Sequence, residues 1–116
     1  MIRPLALFLT LLAGPALAAP TVVTDGILTN AAGMALYTFD KDAPGVSNCD
    51  AACLAIWPIL SAEGGADEGD YTVITRADGT KQWAFKGMPL YTFVKDTKPG
   101  DRLGDGVKGV WHLAKP

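Results

Sequence analysis

The sequence predicts a mainly β protein built from two copies of one small antiparallel unit. The segment GMALYTFDKD at residues 33–42 returns as GMPLYTFVKD at residues 87–96, with eight of ten positions identical. Thr-Val runs rich in β-branched residues precede each copy, and Asp-Gly pairs typical of tight hairpin turns follow those runs. The offset of 54 residues also places Trp57 on Trp111 as a matched structural aromatic pair, so the duplication extends beyond the repeated segment.

Each repeat is expected to supply three or four antiparallel strands. In repeat one we predict strands at 21–24 and 27–30, and in repeat two at 72–75 and 81–85. The repeated segment adds one further strand to each unit. Because three strands cannot bury a face alone, we expect the two units to pack against each other with pseudo-two-fold symmetry.

One short helix is predicted near residues 49–56. Ser47 or Asn48 could cap its N-terminus, and Pro58 disfavours a further turn. The helix falls between the repeated segment and the end of the first unit.

Residues 1–18 have the features of a secretory signal peptide. Arg3 precedes an apolar run from Leu5 to Leu12, and small residues favour cleavage after Ala18 or Ala19. The run is shorter than the roughly 20 residues that a membrane-spanning helix needs. No cysteine lies near the cleavage point. We therefore expect a periplasmic or secreted chain that is not lipidated and has no transmembrane segment when mature.

The mature chain, residues 19–116, is long enough for one compact domain. We divide it into repeat one (21–60), a connector (61–70) and repeat two (71–116). The connector holds three glycines and four acidic residues without the ligand spacing of a calcium loop, which indicates a solvated linker. We expect the protein to be a monomer.

Charge argues against a nucleic-acid partner. Without Arg3 the chain carries nine basic and twelve acidic side chains, a net charge of −3. The charge is uneven, since residues 19–70 carry about −7 and residues 71–116 about +4. Either the two halves attract each other when they pack, or the basic half meets an anionic partner.

Cys49 and Cys53 are the only cysteines in the sequence. In an oxidising exported compartment such a pair forms a structural disulfide, with metal or haem ligation and thiol redox chemistry as the alternatives. Shifted by 54 positions, the pair falls on Leu103 and Val107, which are both apolar. This match favours core positions, and hence the disulfide.

His112 is the only histidine. With the thioethers of Met34 or Met88 it could form a soft copper site or an axial pair for haem. Both methionines occupy the same position of the repeated strand, however, where filling the core is the simpler role. We expect no cofactor, and keep copper or haem as the alternative.

The repeated aspartates have both a structural and a functional interpretation. Asp42 and Asp96 could cap turn amides, or could act together as the carboxylates of a hydrolase. Because no nucleophile or base stands beside them, we predict no enzyme activity and no catalytic residue.

The repeated aromatic residues also allow two interpretations. Tyr37 and Tyr91, with Phe39 and Phe93, could belong to the core or could line a groove shared by the two units. Strand alternation favours the core.

Both copies fit the motif Tyr-x-(Phe/Trp/Tyr)-x-x-Asp, at Tyr37–Asp42 and at Tyr91–Asp96, and a Cys-x3-Cys-x3-Trp-Pro element follows the first copy. The chain resembles the bacterial secreted-repeat family, envelope proteins often described as predicted lipoproteins, over about residues 21–116. It departs from the family in lacking a lipidation cysteine and in having Ile59 where a second proline is frequent. The resemblance implies an exported β protein and no particular activity.

We therefore predict an exported, non-enzymatic binding or interaction module of the bacterial cell envelope. Its partner would be an envelope protein or a small ligand. The alternative is a small copper- or haem-associated periplasmic protein that uses His112 with Met34 or Met88.

Overall fold

A computed structural model describes residues 20–116 of the chain, so the predicted signal peptide lies outside the described residues. The described chain is mainly β, as predicted. Its strands are β1 Val22–Thr24, β2 Ile27–Thr29, β3 Tyr37–Phe39, β4 Tyr71–Thr75, β5 Lys81–Phe85, β6 Met88–Pro89 and β7 Trp111–Leu113. One short helix, α1 Ala51–Leu54, and one 3₁₀ turn, Val107–Gly109, complete the regular structure. No helix within this part of the chain is long and apolar enough to cross a bilayer.

The strands form three small antiparallel sheets. One contains β1 and β2, the second β3 and β7, and the third β4, β5 and β6. The prediction of three or four antiparallel strands in each repeat is thus confirmed, since repeat one has β1 to β3 and repeat two has β4 to β7. Strand β3 belongs to repeat one and β7 to repeat two, so both repeats build the second sheet.

Two hairpins have two-residue turns in which both central residues adopt the left-handed backbone conformation. Asp25 and Gly26, between β1 and β2, have φ angles of 49° and 84°. Lys86 and Gly87, between β5 and β6, have φ angles of 50° and 85°. A two-residue turn of this kind matches the twist of the flanking strands.

The helix is shorter than predicted and has a different cap. It begins after Asp50, whose carboxylate accepts the Cys53 N–H at 3.0 Å. Ser47 and Asn48, the predicted caps, are used elsewhere: the Ser47 hydroxyl contacts a tyrosine of repeat two, and the Asn48 N–H is bound by a carboxylate of its own repeat. Only the residue directly before the helix can cap it.

The second half of the repeated segment forms a ladder over Tyr37–Phe39 in repeat one, but only single bridges in repeat two. There, Tyr91 makes single bridges to Tyr37 and Ile59 and no full strand follows it. The cause is Pro58, which accepts the Thr92 N–H at 2.7 Å but has no N–H to return. Repeat two has His112 at the matching position, so β7 forms a regular ladder with β3.

Each repeat ends in a segment that pairs with the other repeat. The end of repeat two, β7, pairs with β3 of repeat one, and the end of repeat one pairs with the repeated strand of repeat two. Two pairs of equivalent backbone hydrogen bonds show this exchange. In the first pair, Asp40 N–H donates to Val110 O (2.8 Å) and Val94 N–H to Ile56 O (3.0 Å). In the second pair, Ala114 N–H donates to Leu36 O (2.8 Å) and Leu60 N–H to Leu90 O (2.9 Å). The two units are interlocked rather than merely packed face to face.

The pseudo-two-fold axis passes between Tyr37 and Tyr91. Each of these residues donates its N–H to the carbonyl of the other, at 2.8 and 3.0 Å, and neither has any exposed surface. One core cluster surrounds this pair, and a second, aliphatic cluster is centred on Leu28, Leu36 and Leu90.

The interlocked ends predict that neither repeat folds alone. A fragment of residues 20–64 and one of residues 65–116 should each lack the near-ultraviolet circular dichroism of packed aromatic rings, because each leaves half of the shared core uncovered. An equimolar mixture should regain the signal of the intact chain.

Each fragment alone, at the total concentration of the mixture, is the control for self-association. A cooperative urea transition in either fragment by itself would contradict the interlocked arrangement.

Candidate functional site

A groove of about 440 Å³ lies between the repeats, across the pseudo-two-fold axis. Ten of its twelve lining residues are five pairs of equivalent positions. The pairs are Phe39 with Phe93, Lys41 with Lys95, Cys53 with Val107, Ile56 with Val110, and Trp57 with Trp111. The remaining two are Val94 and Lys108. Both repeats therefore contribute to the groove almost equally.

Four stacked aromatic rings form the floor of the groove. Phe39 stacks on Trp111 with ring centroids 4.2 Å apart, Trp111 on Trp57 at 3.8 Å, and Trp57 on Phe93 at 4.2 Å. The rings alternate between the repeats along the stack. Since both faces of each indole are covered by neighbouring rings, it is their edges that line the groove.

Strand register sets up this stack. Phe39 and Trp111 are direct cross-strand partners of β3 and β7, a position where aromatic side chains contact each other. Trp57 and Phe93 are the equivalent pair across the interrupted ladder. The pseudo-two-fold then brings the two pairs together through the indoles.

A disulfide fixes one wall of the groove. Cys49 and Cys53 are bonded, with Cα atoms 5.2 Å apart. Cys49 is buried in the core and Cys53 lines the groove. The backbone N–H of Trp57 donates to the backbone carbonyl of Cys53 at 2.9 Å. The disulfide therefore also helps to position the Trp57 indole.

Three lysines surround the apolar floor. Lys41, Lys95 and Lys108 are exposed, and in the described residues no carboxylate lies within 4.0 Å of their ammonium groups. None of the twelve lining residues found in residues 20–116 is acidic. The groove is therefore locally basic in a chain whose net charge is negative.

The two tyrosines of the motif do not line the groove; they bind the aspartates of the other repeat. The Tyr37 hydroxyl donates to Asp96 Oδ2 at 2.6 Å, and the Tyr91 hydroxyl donates to Asp42 Oδ2 at 2.6 Å. Charge-assisted hydrogen bonds of this length are among the stronger ones in proteins. The first and last residues of each motif thus recognise the other copy.

The second oxygen of each aspartate holds the loop that follows its motif. Asp42 Oδ1 accepts the Asn48 N–H at 2.7 Å, and Asp96 Oδ1 accepts the Leu103 N–H at 2.9 Å. Both carboxylates are therefore occupied by a tyrosine and a backbone amide, and neither lines the groove.

Burial controls the protonation of these groups. It raises the pKa of Tyr37 and of Tyr91 far above the ordinary value of 10.0, and the hydrogen bonds to Asp96 and Asp42 raise them further. Burial also raises the pKa of Asp42, although the hydrogen bond from Tyr91 opposes this shift. The tyrosines therefore remain protonated donors under ordinary conditions.

Arg76 supports this arrangement and has no distinguishing signal in the sequence. Its side chain is buried at the end of β4, where Nη2 donates to the Cys49 carbonyl at 2.6 Å and Nη1 contacts the Ser47 hydroxyl. The positive charge lowers the pKa of Asp42 by a small Coulombic contribution. Nothing in the residue type separates Arg76 from the exposed cations of the same half.

His112 and the two methionines occupy separate positions. The register of β3 and β7 sets His112 opposite Thr38, four residues from Met34, which is about 13 Å of extended chain. Met88 lies in a different sheet, and the imidazole Nε2 is 2.8 Å from Asp40 Oδ2. No group of three or more His, Cys, Asp or Glu in the described residues is arranged to hold a metal.

The prediction that Cys49 corresponds to a core residue of repeat two, Leu103, is wrong. Leu103 is 61% exposed. Because Asn48 and Leu103 donate to equivalent aspartates, repeat two has one extra residue here, and Cys49 corresponds to Gly104 instead. The constant offset of 54 fails in this loop.

Removing one tyrosine hydroxyl should destabilise the fold. Tyr37→Phe leaves a buried oxygen of Asp96 and the Gly104 N–H without their partner, so we expect a loss of about 1–3 kcal/mol in the free energy of unfolding, measured in urea. Tyr71→Phe is the matched control, because within residues 20–116 that half-buried hydroxyl has one hydrogen-bond partner, Thr21. A loss in the control as large as that in Tyr37→Phe would count against the buried pair.

Alkaline pH should also destabilise the protein. Because the folded pKa of both tyrosines exceeds the ordinary value of 10.0, their contribution to stability is complete below that pH and decreases as the pH rises above it. Urea midpoints should therefore decrease from about pH 10 upward. The decrease should be smaller in a Tyr37→Phe, Tyr91→Phe double variant, and equal slopes in the two proteins would contradict this assignment.

A family model described as a secreted repeat of unknown function matches the chain twice, at residues 21–61 and at residues 72–115. No curated protein and no solved structure matches the chain. The two matches fall on the two interlocked units, each with its own tyrosine, aspartate and indole, and together they cover most of the sequence. The chain therefore belongs to the family of secreted repeats of unknown function.

Proposed function

We propose that this protein is an exported, non-enzymatic binding module of the bacterial cell envelope, and that the groove between its repeats binds a small molecule with an apolar, flat body. The observation that carries the proposal is the floor of four stacked rings beneath a groove to which both repeats contribute. Membership of a secreted family supports the export of the chain.

The dimensions of the groove favour a small molecule over a protein partner. Its volume of about 440 Å³ is within the range of about 300–1,000 Å³ that is usual for small-molecule sites. Ile56 and Val94, which line it, remain 47% and 48% exposed. A bound apolar ligand would remove this hydrophobic surface from water.

The walls are held in place before any ligand arrives. The disulfide fixes the side formed by Cys53, and the backbone hydrogen bond from Val94 to Ile56, at 3.0 Å, fixes another. Because little of the protein must be ordered on binding, the entropic cost of association is reduced.

The residues of the groove support binding rather than catalysis. Its lining has no histidine, carboxylate, hydroxyl or free thiol within the described part of the chain. Apart from the lysine amines, the lining contributed by residues 20–116 therefore offers no nucleophile and no base. The lysines are its charged groups.

Binding of the neutral fluorescent probe N-phenylnaphthylamine tests the proposal. We expect saturable binding of one probe per chain, with energy transfer from the indoles that form the floor. Ile56→Glu places a carboxylate in the apolar wall and should weaken binding by about tenfold or more.

Val23→Glu is the matched control, since Val23 is 58% exposed on β1 and does not line the groove. Unchanged affinity is expected in this variant. Failure of the wild-type protein to bind the probe, or equal losses in both variants, would refute the groove as the site.

A further inference from the structure

We infer that the groove selects anions: its ligand is a small molecule whose flat apolar body carries an acidic group such as a carboxylate or sulfonate. The inference rests on the proposed function, because it assigns the ligand class of the same groove. It depends on charge complementarity around the groove, on the positions of neighbouring acids, and on one strained backbone position.

The charge of the groove opposes the charge of the chain. Three lysines line it and no acidic residue does, in the part of the chain that the structure describes. Residues 20–116 nevertheless hold twelve acidic and nine basic side chains. Charged side chains drawn at random from these residues would be acidic more often than basic. The lining is therefore strongly biased toward cations.

The aspartate beside each motif lysine does not neutralise it. In both repeats a lysine directly precedes the motif aspartate, as Lys41-Asp42 and Lys95-Asp96. Each aspartate turns inward to a tyrosine of the other repeat, at 2.6 Å, whereas each lysine lines the groove. The charge of the lysine therefore stays available for a ligand.

A third nearby carboxylate is also engaged. Asp40 lies beside Lys41 in the sequence, but its Oδ2 is 2.8 Å from the ring Nε2 of His112. This contact holds Asp40 on the β7 side of β3, and Asp40 does not line the groove. Each acidic residue of the two motifs thus has a partner other than the groove lysines.

The aromatic floor adds to the preference for anions. The indole faces of Trp57 and Trp111 are covered by ring stacking, so the groove meets their edges. Ring edges carry the positive part of the aromatic quadrupole. An acidic oxygen beside these edges is favoured, whereas a cation is not.

Lys108 is held at the groove at a conformational cost. It has φ 52° and ψ 17° within the 3₁₀ turn, a left-handed conformation that lysine rarely adopts. The matching residue of repeat one is Leu54, which does not line the groove. Lys108 therefore breaks the two-fold symmetry of charge and favours one orientation of a ligand with a single acidic group.

A pair of probes that differ only in an acidic group tests this inference. Anilinonaphthalene sulfonate is N-phenylnaphthylamine with one added sulfonate. We expect the wild-type protein to bind the sulfonate at least about fivefold more tightly at low ionic strength. The preference should shrink at about 1 M salt, where charges are screened within about 3 Å.

A groove variant with Lys41→Met, Lys95→Met and Lys108→Met keeps the apolar stems and removes the three charges. It should lose the preference for the sulfonate, measured as the ratio of its affinities for the two probes. The control variant carries the same loss of charge at lysines that do not line the groove: Lys81→Met, Lys86→Met and Lys115→Met. It should keep the preference, and near-ultraviolet circular dichroism verifies that both variants are folded.

The outcomes separate this inference from the proposed function. Equal affinity of the wild-type protein for the two probes, a preference that survives in the groove variant, or an equal loss in the control variant would each overturn selection of anions and leave the binding groove intact. Failure of the wild-type protein to bind the neutral probe would remove the proposed function as well. If the groove variant does not fold, the single substitutions Lys41→Met and Lys95→Met decide, and each should weaken the preference.

Discussion

The structure depends on a reciprocal contact in which each motif tyrosine donates to the aspartate of the other repeat. The contact lies beside the backbone pair of Tyr37 and Tyr91, where each residue hydrogen-bonds to the other. Because the tyrosine and the carboxylate it binds come from different units, neither unit can satisfy its own buried polar groups. The pairing of the terminal segments and the closed core follow from this constraint.

The same six-residue motif encodes both the assembly and the groove. Its tyrosine and aspartate face inward and bind the other copy, while its phenylalanine and lysine face the space between the copies. A single duplicated strand therefore produces a symmetric core and a symmetric groove together. Positions that break the symmetry, such as Lys108 where repeat one has Leu54, give the two halves of the groove different chemistry.

Much of the fold could be predicted because it depends on local patterns. β-Branched runs, Asp-Gly turns and the repeated segment indicated strands and a two-fold relation, and the compartment indicated the disulfide. The exchange of terminal segments could not be predicted, since backbone pairing between distant strands leaves no side-chain signature. The interrupted strand has a signal in Pro58, whose position matches His112, and its missing N–H explains the break.

The site was predicted only in part. A groove between the repeats was one of the two interpretations of the aromatic residues; of these, the structure puts Phe39 and Phe93 at its floor and the tyrosines beneath it. Lys41 and Lys95 recur in the sequence, but recurrence does not reveal the direction of a side chain. A uniform offset could not reveal the extra residue before Leu103.

The interlocked ends have a consequence for any relative that contains one copy of the unit. Such a chain would have an unpaired final strand and an aspartate without its tyrosine, so two identical molecules would need to associate to complete each other. In the present protein the glycine-rich stretch at residues 61–70 joins what would otherwise be separate subunits. Covalent linkage frees each half to diverge, which an identical pair cannot do.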